Sequence, residues 1–456
     1  MKIRKDVLDL SLPIIAEQAF VIIMGVVNTI MAGHLGREAV SAIGMVDSLN
    51  NIFIAFFSAL AVGGTVVIAQ YFGKRDINKA NDSAIHAVLS SIVISVIITL
   101  LIYIFRFPLV SILYGSADQS VYDNVLVYLN ITLLTYPLIA VTSVSSGVLR
   151  GVGDSKTPMK VSIIMNILNV LLSYSLIYGL KLGNAHFSLT IPALGVKGAA
   201  LGIAIARTVG AALILYTLIG GSRTIRLRIS RDFRINYDIL ASVFGIGIPA
   251  SVENVLFQVG KLITQVFVVS FGTANIAANY VANSVFGVIN ISGSALSLAA
   301  TTMIGQHMGR SESEEAKGTL VYITKLTAIC LLIISALTYP FANLIAGLYS
   351  SDAEVVRIAA MLIRTASLSM PTLWAMSFIL PAGLKGAGDA KYTMVISIAS
   401  MWVFRVGFGY ILCIHAGLGV LGVWLGMYID WVFRGIMFYL RLKSGKWKNN
   451  VVIKVN

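Results

Sequence analysis

The sequence predicts an all-α polytopic membrane protein with about twelve transmembrane helices in two parallel six-helix repeats. Three observations predict it. The composition is too apolar for a surface in water, apolar runs long enough to cross a bilayer follow one another along the chain, and the second half repeats the first.

Apolar residues fill 57% of the 456 positions and charged residues 12%, about half the charged share of a soluble domain. A run of about 20 residues wound as a helix spans a hydrocarbon core about 30 Å thick. Lipid offers the backbone no hydrogen-bond partner, so each run must satisfy its own amides, as a helix does. The runs fall near 8–32, 46–72, 84–106, 122–149, 158–180, 195–220, 239–270, 276–306, 318–341, 355–384, 392–415 and 419–441. Charged residues open the chain (Lys2, Arg4, Lys5, Asp6, Asp9), and the apolar stretch after them is too long for a leader. It reads as a retained first span.

Charge placement gives the topology. With the N-terminus inside, the tails and alternate loops on that side hold 23 of the 34 lysines and arginines, and the outer loops hold five. This asymmetry sets both termini in the cytoplasm, with the chain in the cell membrane, and demands an even number of spans. The net charge of +14 is a topology device helped by anionic headgroups. It forms no single face of the kind that nucleic acid requires. The widest polar break, residues 221–238, carries Arg223, Arg226, Arg228, Arg231 and Arg234. It divides the chain into an N-terminal lobe (1–220) and a C-terminal lobe (239–442), followed by a basic tail (443–456).

The halves match in register. LPIIAEQ (12–18) aligns with IPASVEN (248–254), pairing Pro13 with Pro249 and Glu17 with Glu253 at an offset of 236. The same offset pairs Gly36 with Gly272, Gln70 with Gln306 and Gly73 with Gly309. LRGVGDSK (149–156) aligns with LKGAGDAK (384–391), and GVKGAALG (195–202) with GVLGVWLG (419–426). An even number of spans per half makes the repeats parallel. Carriers built this way bind substrate between their halves and rock them to alternate access.

VNTIMAGHLG (27–36), GTANIAANYVANSV (272–285) and the paired LRGVGDSKTP and LKGAGDAKYT loops carry a resemblance to the multidrug and toxic compound extrusion (MATE) transporters. It extends over nearly the whole chain. The resemblance implies a V-shaped pair of six-helix bundles around a central cavity. It also implies export of organic, often cationic, amphipathic compounds in exchange for H⁺ or Na⁺. The chain departs from that family's usual pattern at three places. Asn28 stands where many members have aspartate. Glu253 lies one turn before Phe257, the place of a glutamate in some. Thr372, after Pro371, replaces an acid found in others.

A charge near the bilayer centre costs at least about 2.5–3.5 kcal/mol, so it faces a cavity or a partner. Glu253 falls about 22 Å into its helical run, counted at the helical rise. There it can hold H⁺ or Na⁺, attract a cationic substrate, or serve as half of a structural ion pair. Glu17, its repeat mate, lines the inner mouth of a cavity or reaches headgroup level. Lys261, two turns beyond Glu253, repels cations, competes for Glu253 or pairs with another acid. Asn28, Gln258, Asn279 and Asn283, with Asn166 and Asn169, offer either neutral cavity contacts or helix–helix hydrogen bonds. Arg405 and Arg364 read as packed or snorkelling residues, and Asp430 with Arg434 as an i, i+4 pair. Prolines 13, 137, 249, 371 and 381 are candidate kinks.

No enzyme motif and no Walker A sequence appears, Cys330 and Cys413 are isolated, and the five histidines have no zinc spacing. No cofactor or resident metal is expected beyond a coupling ion. The expected partners are small organic substrates and lipid, with the chain acting as a monomer. Two rival classes remain. Lipid-linked oligosaccharide flippases share the architecture but usually have more spans and more cavity charges. Major facilitator carriers have a different loop after the second span, where this chain reads GKRDINKAND (73–82).

Overall fold

The computed structural model describes residues 2–33, 35–115, 118–184, 187–221, 225–227 and 234–453. Ten helices are long and apolar enough to cross a membrane, and two bent helix pairs raise the number to twelve. The first half contains span 1 (Lys2–Gly33), span 2 (Arg37–Gly73), span 3 (Ile77–Tyr114), span 4 (Gln119–Leu133 with Tyr136–Gly151), span 5 (Lys156–Tyr178) and span 6 (Gly195–Gly220). The second contains span 7 (Tyr237–Val269), span 8 (Thr273–Ile289 with Ile291–Gly309), span 9 (Ser313–Thr338), span 10 (Ala353–Gly386), span 11 (Ala390–His415) and span 12 (Gly419–Ser444). The molecule is thus a multi-pass membrane protein. Spans 5 and 6 are joined by a feature that the apolar pattern does not predict, an antiparallel hairpin of β1 (Leu180–Asn184) and β2 (Phe187–Ile191). The outer faces are apolar. Ile104 and Phe105 on span 3, and Leu332, Ile333 and Leu337 on span 9, are more than half exposed, as suits residues against lipid.

Spans 4 and 8 bend by 46° and 49° at their breaks; at the 236-residue offset the break of span 4 corresponds to the π-helical turn of span 10, and the break of span 8 to the unbroken middle of span 2. The repeat also extends to the backbone. Gly36 and Gly272 both have positive φ, 99° and 90°, in the turns after spans 1 and 7. Arg75 and Ser311, at the same 236-residue offset, are the two non-glycine residues with left-handed φ among the described residues, at 64° and 63°. Identical turns at matched positions fit one ancestral six-helix unit used twice. Of the candidate kinks, Pro13 and Pro249 sit inside continuous helices. Pro371 lies in a widened, π-helical turn, Met370–Trp374.

The lobes join at the end that carries the termini. Gln70 Nε2 donates to Gly386 O (3.1 Å) and its mate Gln306 Nε2 donates to Gly151 O (2.9 Å). The two bonds exchange under a local two-fold axis, because Gly151 and Gly386 are mates too. Close approach depends on missing side chains. A Cβ on Gly73 would lie 2.1 Å from Gln306 O, and one on Gly309 would lie 1.9 Å from Gln70 O. The residues that display the repeat in the sequence are therefore the ones that clamp the lobes together. The tail reinforces this seam. Trp447 is buried, Val452 N donates to Gln70 Oε1 (3.0 Å), and Ser242 Oγ donates to Val452 O (3.4 Å). Of the linker arginines, Arg226 and Arg234 are described, whereas Arg223, Arg228 and Arg231 lie outside the described residues, as does Lys454 of the tail.

Candidate functional site: a charged cavity in each lobe

Away from the clamp lie two polar cavities, each lined mainly by one lobe, with Asn51 of span 2 on the wall of both. The N-terminal cavity is about 550 Å³ and is continued by a side chamber of about 220 Å³. Asn28, Asp47 and Asn169 line both. Asp47, on span 2, is the centre of a hydrogen-bonded network. Tyr128 Oη donates to Asp47 Oδ1 (3.3 Å), Asn50 Nδ2 lies 3.4 Å from the same oxygen, and Tyr136 Oη donates to Asn50 Oδ1 (2.8 Å). Arg207 on span 6 donates from Nη1 to Thr135 Oγ1 (2.7 Å) and is the cation that faces Asp47. Thr135 and Tyr136 stand at the bend of span 4, so the broken helix delivers both to the network. Asn28 Oδ1 is buried without a hydrogen-bond partner.

The C-terminal cavity is about 390 Å³. Gln258 and Lys261 come from span 7, Asn279 and Asn283 from span 8, Arg405 from span 11 and Trp424 from span 12. Asn279 is fixed, donating to Gln265 Oε1 and accepting from Trp424 Nε1, each at 2.9 Å. Lys261 Nζ and Arg405 Cζ each lie 5.3 Å from the centre of the Phe257 ring. No acidic residue lines this cavity among the described residues. Both volumes suit small-molecule ligands.

The candidates read from the sequence thus separate. Glu17 and Asn28 reach the N-terminal cavity, and Gln258, Lys261, Asn279 and Asn283 the C-terminal one. Glu253 lines none of the three cavities. Lys385 Nζ lies 2.8 Å from Glu253 Oε2, and Arg150 Nη2 donates to both oxygens of Glu17 at 2.8 and 3.0 Å. An ammonium thus sits against Glu253, and a Na⁺ ion there would face that charge. The ion-pair reading is the one the geometry supports. Depth counted along span 7 did not reveal this, because the partner arrives from the end of span 10, 132 positions further on. Asp430 and Arg434 approach only to 4.0 Å, with Asp430 Oδ1 taken by Ser400 Oγ.

Asp47 and Arg207 were missed by sequence reasoning. The signal was present. Each is an ionisable residue within a predicted span, the criterion that singled out Glu253. Among the described residues, no group of three or more His, Cys, Asp or Glu side chains is gathered to hold a metal.

Comparison with known proteins decides the family. The MatE family model matches residues 13–175 and again 249–411, one copy per repeat and starting at Pro13 and Pro249. The chain belongs to the MATE family. It is therefore a transporter of small compounds and not an enzyme. It is 25% identical to the probable multidrug resistance protein NorM of Thermotoga maritima, over 99% of this chain and 95% of that protein. It is 27% identical to the uncharacterized transporter YisQ of Bacillus subtilis, over 96% and 94%. A multidrug resistance MATE transporter solved in an outward-facing conformation superposes with a TM-score of 0.85 at 24% identity, covering 97% of this chain and 95% of the other. That likeness concerns the MATE fold.

Proposed function

We propose that this MATE transporter exports amphipathic organic compounds in exchange for H⁺ or Na⁺, by alternating access between its lobes. It does so as a monomer in the cell membrane with both termini cytoplasmic. The charge asymmetry of the loops supports that orientation. With the termini inside, the clamp through Gln70 and Gln306 closes the cytoplasmic end, so the cavities face outward. Relatives named as multidrug resistance proteins support export of organic compounds.

One observation carries the coupling assignment. Asp47 is the carboxylate in the N-terminal cavity that has no base within ion-pair distance among the described residues. Glu17, the other acid lining that cavity, is held by Arg150. In many members the first span supplies an aspartate, and here Asp47 supplies an acid into the same chambers from the second. Protonation of Asp47, or Na⁺ held against it, changes the charge of the cavity and so the affinity for an organic cation. Exchange follows because ion and cation compete for one negative charge. Glu17 and Glu253 are assigned to holding Arg150 and Lys385, and Lys261, Gln258, Asn279 and Asn283 to the second cavity.

The test is uptake of labelled tetraphenylphosphonium by proteoliposomes under an imposed H⁺ or Na⁺ gradient. The wild type should accumulate the probe with one gradient and Asp47→Asn with neither. Gradient-driven uptake by Asp47→Asn at normal protein levels would place the coupling acid elsewhere.

A further inference from the structure

Three cations meet at one aromatic ring in the C-terminal lobe. Lys261 Nζ, Arg405 Cζ and Arg434 Cζ lie 5.3, 5.3 and 5.8 Å from the centre of Phe257. The one acid beside them is Asp430, which is fully buried, accepts from Ser400 and stands 4.0 Å from Arg434. One carboxylate against three cations leaves two positive charges uncompensated. Asp430 faces Arg405 as well as Arg434, and of the three cations Lys261 and Arg405 are the ones that line the cavity. Lys261 is exposed to it, and Arg405 Nε is buried with no hydrogen-bond partner. Neither forms an ion pair within 4.0 Å among the described residues.

The backbone is shaped around this pair. Arg405 sits in an eight-residue π-helical stretch, Met401–Phe408, a rare geometry that turns side chains away from their α-helical direction and recurs at functional sites. Span 11 lies tight against span 7. A Cβ on Gly260, the residue before Lys261, would fall 2.4 Å from Met401 Cε. The packing therefore holds two like charges near each other within the protein, where repulsion is stronger than in water. An arrangement of this kind is relieved by a bound anion. Asn283 and Gln258 bring neutral amides to the same space, and Trp424 and Met427 give it an apolar wall.

We infer that the C-terminal cavity is a binding site for the anionic group of an organic anion, a carboxylate, sulfonate or phosphate monoester on an apolar body, held by Lys261 and Arg405. This rests on the export reading only for its consequence, that the transporter carries such anions. An organic cation is repelled from this cavity and is left to the N-terminal one. The headgroup of an anionic lipid offers the same chemistry as a soluble anion.

Calorimetric titration of the purified protein in phosphatidylcholine nanodiscs tests the site, with 1-naphthalenesulfonate and its uncharged sulfonamide as probes. The sulfonate should bind about tenfold or more tightly than the sulfonamide, the worth of one charge-assisted contact. Lys261→Met and Arg405→Met should each remove most of that difference, and Lys261→Arg should retain it. Equal binding of the two probes to wild-type protein overturns the inference without recourse to variants. So does sulfonate binding that survives both methionine substitutions in folded protein. Repeating the titration with phosphatidylglycerol nanodiscs identifies the source. Competition points to a lipid headgroup, and unchanged affinity to a soluble anion, each consistent with an anion site. Tetraphenylphosphonium transport by the same preparation separates the two readings. Transport without sulfonate selectivity defeats this inference alone, and selectivity without transport defeats the export reading alone.

Discussion

The N-terminal cavity balances its charges, Asp47 with Arg207 and Glu17 with Arg150, whereas the C-terminal cavity presents Lys261 and Arg405 with no lining acid. Both were built from one repeat. At the 236-residue offset, Asp47 corresponds to Asn283 and Lys261 to Gly25. Each lobe has therefore placed a charge where the other is neutral, while the clamp glutamines, the glycines beside them and the turns have stayed alike. On the proposed function, the shared elements close the molecule and the divergent ones select what enters it. It also separates two kinds of intramembrane charge. The Glu17–Arg150 and Glu253–Lys385 pairs occur in both lobes and stabilise them, whereas Asp47, Lys261 and Arg405 each occur in one.

The largest effect expected is from Asp47→Asn, which should reduce gradient-driven tetraphenylphosphonium uptake to that of empty vesicles. Retained uptake would break the division of roles between the lobes. Next is Glu253→Gln, which leaves the Lys385 ammonium buried without its partner. Removing one member of such a pair costs about 3–5 kcal/mol, seen as a lower thermal midpoint. Adding Lys385→Met should recover most of the loss, because both charges are then gone. Glu17→Gln should behave similarly, and unequal effects would show that the two lobes do not share this element after all. A smaller change is expected from Asn283→Asp, which puts into the C-terminal cavity the acid that its mate Asp47 supplies in the other. It should weaken 1-naphthalenesulfonate binding by about tenfold, through a like-charge contact worth 1–2 kcal/mol at an effective dielectric near 20. The smallest effect is that of Asn28→Ala, which should alter uptake rate by only a few fold, the worth of one neutral hydrogen bond. Ion dependence should be unchanged, and its loss would move the ion site to span 1.

Much of the fold was legible because a bilayer leaves few choices. Every apolar run had to be a helix, and internal register alone identified Gln70, Gln306, Gly73 and Gly309, which turned out to be the seam between lobes. Pro137, a candidate kink in the sequence, stands at the start of the second helix of span 4, whereas the bend of span 8, which has no proline at its break, and the β1–β2 hairpin were not legible. The site was half legible. Polar residues in spans 1, 7 and 8 were found by type. Their partners were not, since Lys385 and Arg150 come from the ends of spans 10 and 4, more than 130 positions away from the glutamates they neutralise. Yet the repeat held that information in latent form. The basic residue of LRGVGDSK and LKGAGDAK and the glutamate after each Pro13-type proline are matched across the halves, as two residues in contact in both lobes must be.

The tail that crosses the seam has a consequence for the transport cycle. Gln70 is bonded on both sides of its amide, Nε2 to Gly386 and Oε1 to Val452 N. Opening the termini-bearing end parts the first bond and frees the residue that anchors the second. Under the proposed alternating access, each turnover then unfastens and refastens the chain's own C-terminal segment. Each neutral hydrogen bond released is worth about 1 kcal/mol, or roughly fivefold in the ratio of the two conformers. The last described residues thereby act as a built-in bias on the resting state, with a strength set by a handful of contacts and adjustable without touching either cavity.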